Sequence, residues 1–139
     1  MKISEFNNSI YGDLEMVKND TLSFNFQLQG LEGQQPFNIL FTCKSNPDDE
    51  EYIFQRQIGD GISLLSYDAE TDIATYTLRI APDNTETMSC GRYFYDLEVT
   101  VNSDVFTLMR GRLELLWEAS SGSAPAPTPA YEDGDNIYY

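Results

Sequence analysis

The chain contains no histidine among its 139 residues. That absence removes Ser–His and Cys–His nucleophile pairs, His-ligated zinc and imidazole proton transfer together. Basic residues are scarce, eight Lys and Arg against 23 Asp and Glu, and the formal charge of -15 repels phosphate backbones and anionic lipid surfaces. Nucleic-acid and membrane partners are therefore excluded from the reading. No uncharged apolar run approaches the length needed to cross a bilayer, and residues 1–8 hold no apolar stretch of signal-peptide length, so the expectation is a chain that folds in the cytosol where it is made. Cysteine is limited to Cys43 and Cys90, which without a secretion signal read as two free thiols and cannot close a structural zinc site. A phosphate-cradling glycine loop is also missing: Gly59-Asp60-Gly61 lacks the further glycines and the lysine, and reads as a tight turn.

What is present points to strands. Nine Tyr and eight Phe within a hydrophobic content of 41% are too apolar and aromatic for disorder, and aromatics favour sheets. The length suits one domain. Leu22, Phe24, Phe26 and Leu28 alternate with polar residues, as do Phe37, Ile39, Phe41 and Cys43, the period of strands with one wet face. Further strands are expected at 52–58, 62–67 and 73–81, the last stopped by Pro82, which cannot donate to a ladder. Residues 83–88 suit one helical turn across an end of the fold. A strand at 91–101 follows, then strands at 105–110 and 112–117, with Gly111 between them suggesting a bulge. No segment holds a 3.6-residue period for the length of an ordinary helix.

The turn ending at Gly91 launches Tyr93, Tyr95, Leu97, Val99 and Val101 along one side of a strand. This Gly-x-Tyr-x-Tyr spacing resembles the tyrosine corner of immunoglobulin-like domains. The matching disulfide is not available, because its second cysteine would stand where Tyr95 does. Trp117 likewise sits at the end of the last strand and not in an early central one. The fold expected is all-β, an antiparallel immunoglobulin-like β-sandwich of roughly seven to nine strands with an extended C-terminal tail.

Three parts follow along the chain: residues 1–118 as the sandwich domain, 119–130 as a Pro/Ser/Ala-rich linker, and 131–139 as an acidic aromatic docking peptide. Extended as polyproline II, the linker spans on the order of 35 Å. Tyr131, Ile137, Tyr138 and Tyr139 are the candidate partner-binding anchors, since aromatics bring much contact area at little cost in side-chain freedom.

Carboxylates cluster at Asp48, Asp49, Glu50 and Glu51, and at Asp68, Glu70 and Asp72. Their spacing does not match an EF-hand, and solvated turn carboxylates are the expectation. Asp96 and Glu98 face away from Tyr93 and Tyr95, with Arg79, Arg110 and Arg112 as the nearest bases. Cross-strand ion pairing is the plain reading of this face, and a protein interface built on Arg and Tyr is the sharper one. No catalytic residue, metal site or cofactor is expected.

Residues 19–26, 54–62, 76–85, 91–97 and 106–111 together resemble, in pattern and order, a family of small bacteriophage virion proteins that includes the N-terminal β-sandwich domain of the baseplate upper protein. The resemblance covers about residues 14 to 118. It implies a non-enzymatic building block that attaches virion components to one another at a baseplate, neck, tail or capsid surface, with other virion proteins as partners and homo-oligomers within the particle. The rival is a carbohydrate-binding or adhesin module on the virion surface, because sandwiches rich in tyrosine host such sites.

Overall fold

The computed structural model describes residues 10–36 and 38–117. Nine strands and one helical turn make up this region: β1 (Ile10–Tyr11), β2 (Leu14–Val17), β3 (Leu22–Gln29), β4 (Asn38–Lys44), β5 (Phe54–Ile58), β6 (Gly61–Asp68), β7 (Ile73–Ile80), α1 (Pro82–Thr85), β8 (Gly91–Val101) and β9 (Asp104–Leu116). The hydrogen-bonded order runs β1-β9-β8-β4-β5-β6-β7-β3, with β2 also on β9. Between β5 and β6 the ladder narrows to a two-residue parallel contact, Gln57 with Gly61 and Ile58 with Ile62. There the chain passes from one sheet, β1/β2-β9-β8-β4-β5, to the other, β6-β7-β3.

The crossing needs its glycines. Gly59 and Gly61 adopt φ of 87° and 102°, left-handed backbone that a side chain resists. Gln57 and Asp60 exchange backbone hydrogen bonds of 2.9 and 2.8 Å across this turn. Arg56 lies over Gly61, where a Cβ would come within 2.0 Å of its Nε, and the Nε donates to the Arg79 carbonyl at 2.9 Å.

Alternation then fills the space between the sheets. Ile39, Phe41 and Cys43 of β4, Tyr76, Leu78 and Ile80 of β7, Tyr95, Leu97 and Val99 of β8, and Leu108, Leu113 and Leu115 of β9 form one buried cluster with Leu28 of β3. Period-two patterning is what puts each of these sets on one face. Phe41 is fully buried, and its ring stacks on Tyr95 at 5.3 Å and 17° and on Phe54 at 6.1 Å. Cys43 is buried and Cys90 exposed, both as free thiols. Burial pushes the Cys43 thiol up to about 12, so it behaves as a small apolar side chain.

The corner is present. The Tyr93 hydroxyl donates to the Ser89 carbonyl at 2.5 Å, tying the start of β8 to the segment after α1. Tyr93→Phe is expected to lose about 1 kcal/mol of stability in a urea titration, the net worth of one such bond; an unchanged midpoint would show that the bond contributes nothing. α1 opens at Pro82, and the Ala81 amide donates to Asn84 Oδ1 at 2.7 Å. Thr85, fully buried, accepts from the Asn19 amide at 3.0 Å and pins the β2–β3 turn to this end of the sandwich.

Several boundaries differ from the sequence expectation. The last two expected strands are one, β9, and Trp117 lies just beyond it with 74% exposure. Gly111 is not a bulge: it pairs regularly with Tyr95, and the register shifts at Leu97/Glu98 instead, leaving Leu108 as the extra residue. The glycine is demanded by the β1–β2 connection, since a Cβ at Gly111 would sit 2.0 Å from the Gly12 carbonyl oxygen. β5 starts only at Phe54, and Tyr52 and Ile53 are exposed before it. Phe37 lies outside the described residues.

Candidate functional site

Register builds a patch on the outer face of the larger sheet. Lys44 of β4 stands opposite Phe94 of β8, which stands opposite Arg112 of β9. One row along, Thr42 pairs with Asp96, Asp96 with Arg110, and Arg110 with Tyr11 of β1. These residues point away from the core because their sequence neighbours Cys43, Tyr95 and Gly111 are buried. Together with Pro47 they line a cleft of about 340 Å³, at the small end of the range for binding sites.

The cleft gathers Lys44, Arg110 and Arg112, three of only eight basic residues in the chain. Among the described residues, Asp96 is the one carboxylate in its lining. Lys44 Nζ donates to the neutral Asp49 carbonyl at 2.7 Å, which positions the ammonium without cancelling its charge. The Arg110 guanidinium lies 5.6 Å from the centre of the Tyr11 ring, within cation–π range. Tyr11 is held in turn by its neighbour Gly12, whose amide donates to the Arg110 carbonyl at 2.9 Å and whose carbonyl accepts from the Tyr95 hydroxyl at 2.6 Å. At the rim, the Arg112 amide donates to Asp13 Oδ1 at 3.2 Å.

Burial pushes the Asp96 carboxyl above the ordinary carboxylate range, with Lys44 pulling the other way. Glu98 is also pushed up, by burial and then by Asp96, again against Lys44. A folded-state value above the unfolded one means that the native state holds the proton more tightly. This contribution to stability is therefore full below the unfolded value near 4 and declines as pH rises through the folded value. Asp96→Asn is expected to raise the melting temperature at pH 7, with the gain vanishing by about pH 4; a lower melting temperature at pH 7 would mean that the carboxylate is held by a favourable partner.

A second surface lies on the edge of the smaller sheet. β6 pairs with β7 along its length but meets β5 only at its start, so the far side of residues 63–68 is an open edge among the described residues. Leu64, Leu65 and Tyr67 are 49%, 60% and 40% exposed there. A register shift between Leu64 and Ser66 leaves Leu65 as the extra residue, next to Leu64, which stands opposite the buried Tyr76 at the sheet edge. Tyr67 is fixed by donating to Asp72 Oδ1 at 2.8 Å.

Of the bases set beside Asp96 and Glu98 by the sequence, Arg110 stands cross-strand from Asp96; the ion pair seen on the outer face is a different one, Arg92 with Glu114, cross-strand partners at 3.7 Å. The turn carboxylates brace backbone: Asp49 Oδ2 accepts from the Asn46 amide, Asp68 Oδ1 from the Glu70 amide and Asp72 Oδ2 from the Glu32 amide. No cluster of potential metal ligands is found among the described residues. The anchors Tyr131, Ile137, Tyr138 and Tyr139, with the whole linker and tail, lie outside the described residues. Sequence reasoning missed Lys44, Phe94 and Tyr11, for which register across four strands was the needed signal.

Strand order completes the fold assignment. The sequence β3-β7-β6 facing β9-β8-β4-β5 reproduces the B-E-D and G-F-C-C′ sheets of immunoglobulin sandwiches, with the tyrosine corner opening the F-equivalent strand β8. The chain is an immunoglobulin-like β-sandwich in which Tyr95 holds the usual cysteine position and Phe41 packs against it. No protein-family model matches it, and no curated protein does. Among solved structures, the chain is similar to the extracellular domain of the voltage-gated sodium channel beta4 subunit, a parallel homodimer studied for its role in cell–cell adhesion, at 12% identity and a TM-score of 0.38 over 82% of this chain and 98% of that one. A structure from photo-crosslinking work on cell-adhesive interactions of sodium-channel beta subunits is similar at 12% identity and a TM-score of 0.38, over 81% and 97%.

Proposed function

We propose that this protein is a non-enzymatic structural component of a bacteriophage particle, an adhesion module that joins virion subunits, in the first place copies of itself. The observation that carries the reading is the β6 edge, where Leu64, Leu65 and Tyr67, within four residues of one strand, are all exposed. Contiguous apolar surface of this kind marks protein contacts, and an edge strand left open is the part of a sheet most ready to accept a neighbour. The bulge at Leu64/Ser66 breaks the regular ladder, so the contact is made by side chains more than by strand addition. The resemblance in pattern to baseplate-type sandwich domains supplies the virion setting, and the acidic tail supplies a second arm.

Light scattering on the full chain, beside Leu64→Asp and Leu65→Asp variants, tests this. The expected result is an oligomer that reverts to monomer in either variant and strengthens with salt, because Asp60, Asp68, Glu70 and Asp72 surround the edge and their repulsion is screened. A monomeric full chain that binds soluble sugars saturably would overturn the assembly reading in favour of a carbohydrate-binding module.

A further inference from the structure

We infer that the cleft lined by Tyr11, Lys44, Phe94, Arg110 and Arg112 is the receptor for the chain's own C-terminal peptide, Tyr131–Tyr139. This rests on the proposed reading of the tail as a docking arm and names the surface that receives it.

Charge complementarity selects the occupant. The peptide carries Glu132, Asp133 and Asp135 and no Lys or Arg, while the cleft is lined by Lys44, Arg110 and Arg112 with one carboxylate, Asp96, among its described lining residues, Asp13 lying at the rim and Glu98 near Lys44. In a molecule of net charge -15 most other surface repels such a peptide. The open β6 edge is the alternative acceptor, but Asp60, Asp68, Glu70 and Asp72 around it disfavour an acidic ligand. Like charges juxtaposed in this way reject wrong partners, and opposite ones set register.

The apolar parts also correspond. Tyr131 precedes the carboxylates and Ile137, Tyr138 and Tyr139 follow them, and the cleft likewise sets rings beside cations: Phe94 stands between Lys44 and Arg112, and Tyr11 next to Arg110. Arg110 and Arg112 can take carboxylates in forked hydrogen bonds, and an aromatic side chain can lie on Phe94 or beside Tyr11. A volume of about 340 Å³ equals that of roughly ten waters, room for an anchoring aromatic and not for a folded partner.

Reach permits it. From Arg112 to the end of β9 at Leu116 is about 14 Å of strand at ~3.4 Å per residue. If extended as polyproline II, the linker 119–130 would span on the order of 35 Å, enough to return to the cleft of its own chain or to cross to that of a neighbouring copy.

The test is paramagnetic broadening in the full chain. A nitroxide is attached through Asn136→Cys in a Cys90→Ser background, which leaves only the buried Cys43 as a second thiol. The expected result is selective loss of amide signal at Lys44, Phe94, Arg110 and Arg112. It should fall several-fold in the double variant Arg110→Glu/Arg112→Glu and return when Glu132, Asp133 and Asp135 of that variant are changed to Lys. Docking should also weaken as ionic strength rises from about 0.01 to about 1 M and the screening length drops from ~30 to ~3 Å, opposite to the edge contact. Broadening centred on another surface overturns the cleft assignment while leaving the docking arm intact. Evenly spread broadening, or broadening indifferent to both charge reversals, overturns it outright. Mixing labelled and isotope-enriched chains separates the two readings: transfer between chains supports the cleft and assembly through the tail, whereas broadening confined to one chain supports the cleft and removes the tail as a link between subunits.

Discussion

Replacing Phe41 with alanine is expected to destabilise the protein by about 4 kcal/mol, as emptying a buried aromatic site does. Phe41 is fully buried and sits between two other rings, Tyr95 at 5.3 Å and Phe54 at 6.1 Å. In an immunoglobulin sandwich a disulfide and a tryptophan bind the two sheets at this level; here Tyr95 and Phe41 occupy that place with no covalent link. The core has therefore nothing to fall back on when the ring is removed. A loss of about 4 kcal/mol is a large share of the 5–15 kcal/mol available to a typical domain, and the variant should unfold at a much lower urea concentration with an unchanged slope. Phe41→Leu, which keeps most of the volume, should lose clearly less. If the alanine and leucine variants behaved alike and close to wild type, the stack would not be the centre of the core.

Gly111→Ala should be nearly as damaging, about 3 kcal/mol, although it adds a single methyl. The new carbon would lie 2.0 Å from the Gly12 carbonyl oxygen and 2.8 Å from its carbon, and backbone cannot swing aside as a side chain can. β1 must then leave β9. The Gly12–Arg110 backbone bond and the Tyr95 hydroxyl bond to Gly12 go with it, stranding a buried hydroxyl. Urea denaturation measures the loss. The same displacement carries Tyr11 off Arg110, so tail-dependent broadening at the cleft should diminish in parallel. Wild-type stability in this variant would mean that β1 is only loosely attached.

Sequence and tertiary structure divide the account of this molecule along a physical line. Alternation in Leu22–Leu28, Tyr76–Ile80 and Tyr95–Val99 is a local property, because a strand's period of two repeats within a few residues. It was enough to locate β3, β7 and β8 and to indicate a sandwich. The corner at Tyr93, the stop at Pro82, the turn at Gly59–Gly61 and the free thiols were legible for the same reason, each being a matter of neighbours in the chain. Strands β1 and β2 were not, since Ile10–Tyr11 and Leu14–Val17 are too short to show a period and exist only by parallel pairing with β9.

Gly111 shows the difference most sharply. The chain identified an unusual glycine, but read along the strand it meant a bulge, and only the approach of Gly12 from elsewhere supplies its true reason. The cleft is the same kind of fact. By itself the sequence determined that few cations exist, that the tail is acidic and aromatic, and that Arg110 and Arg112 flank Gly111 at the junction of two expected strands. Tertiary structure alone decided that Lys44, Phe94 and Tyr11 join them, because hydrogen-bond register between strands far apart in the chain is set by packing of the whole sandwich.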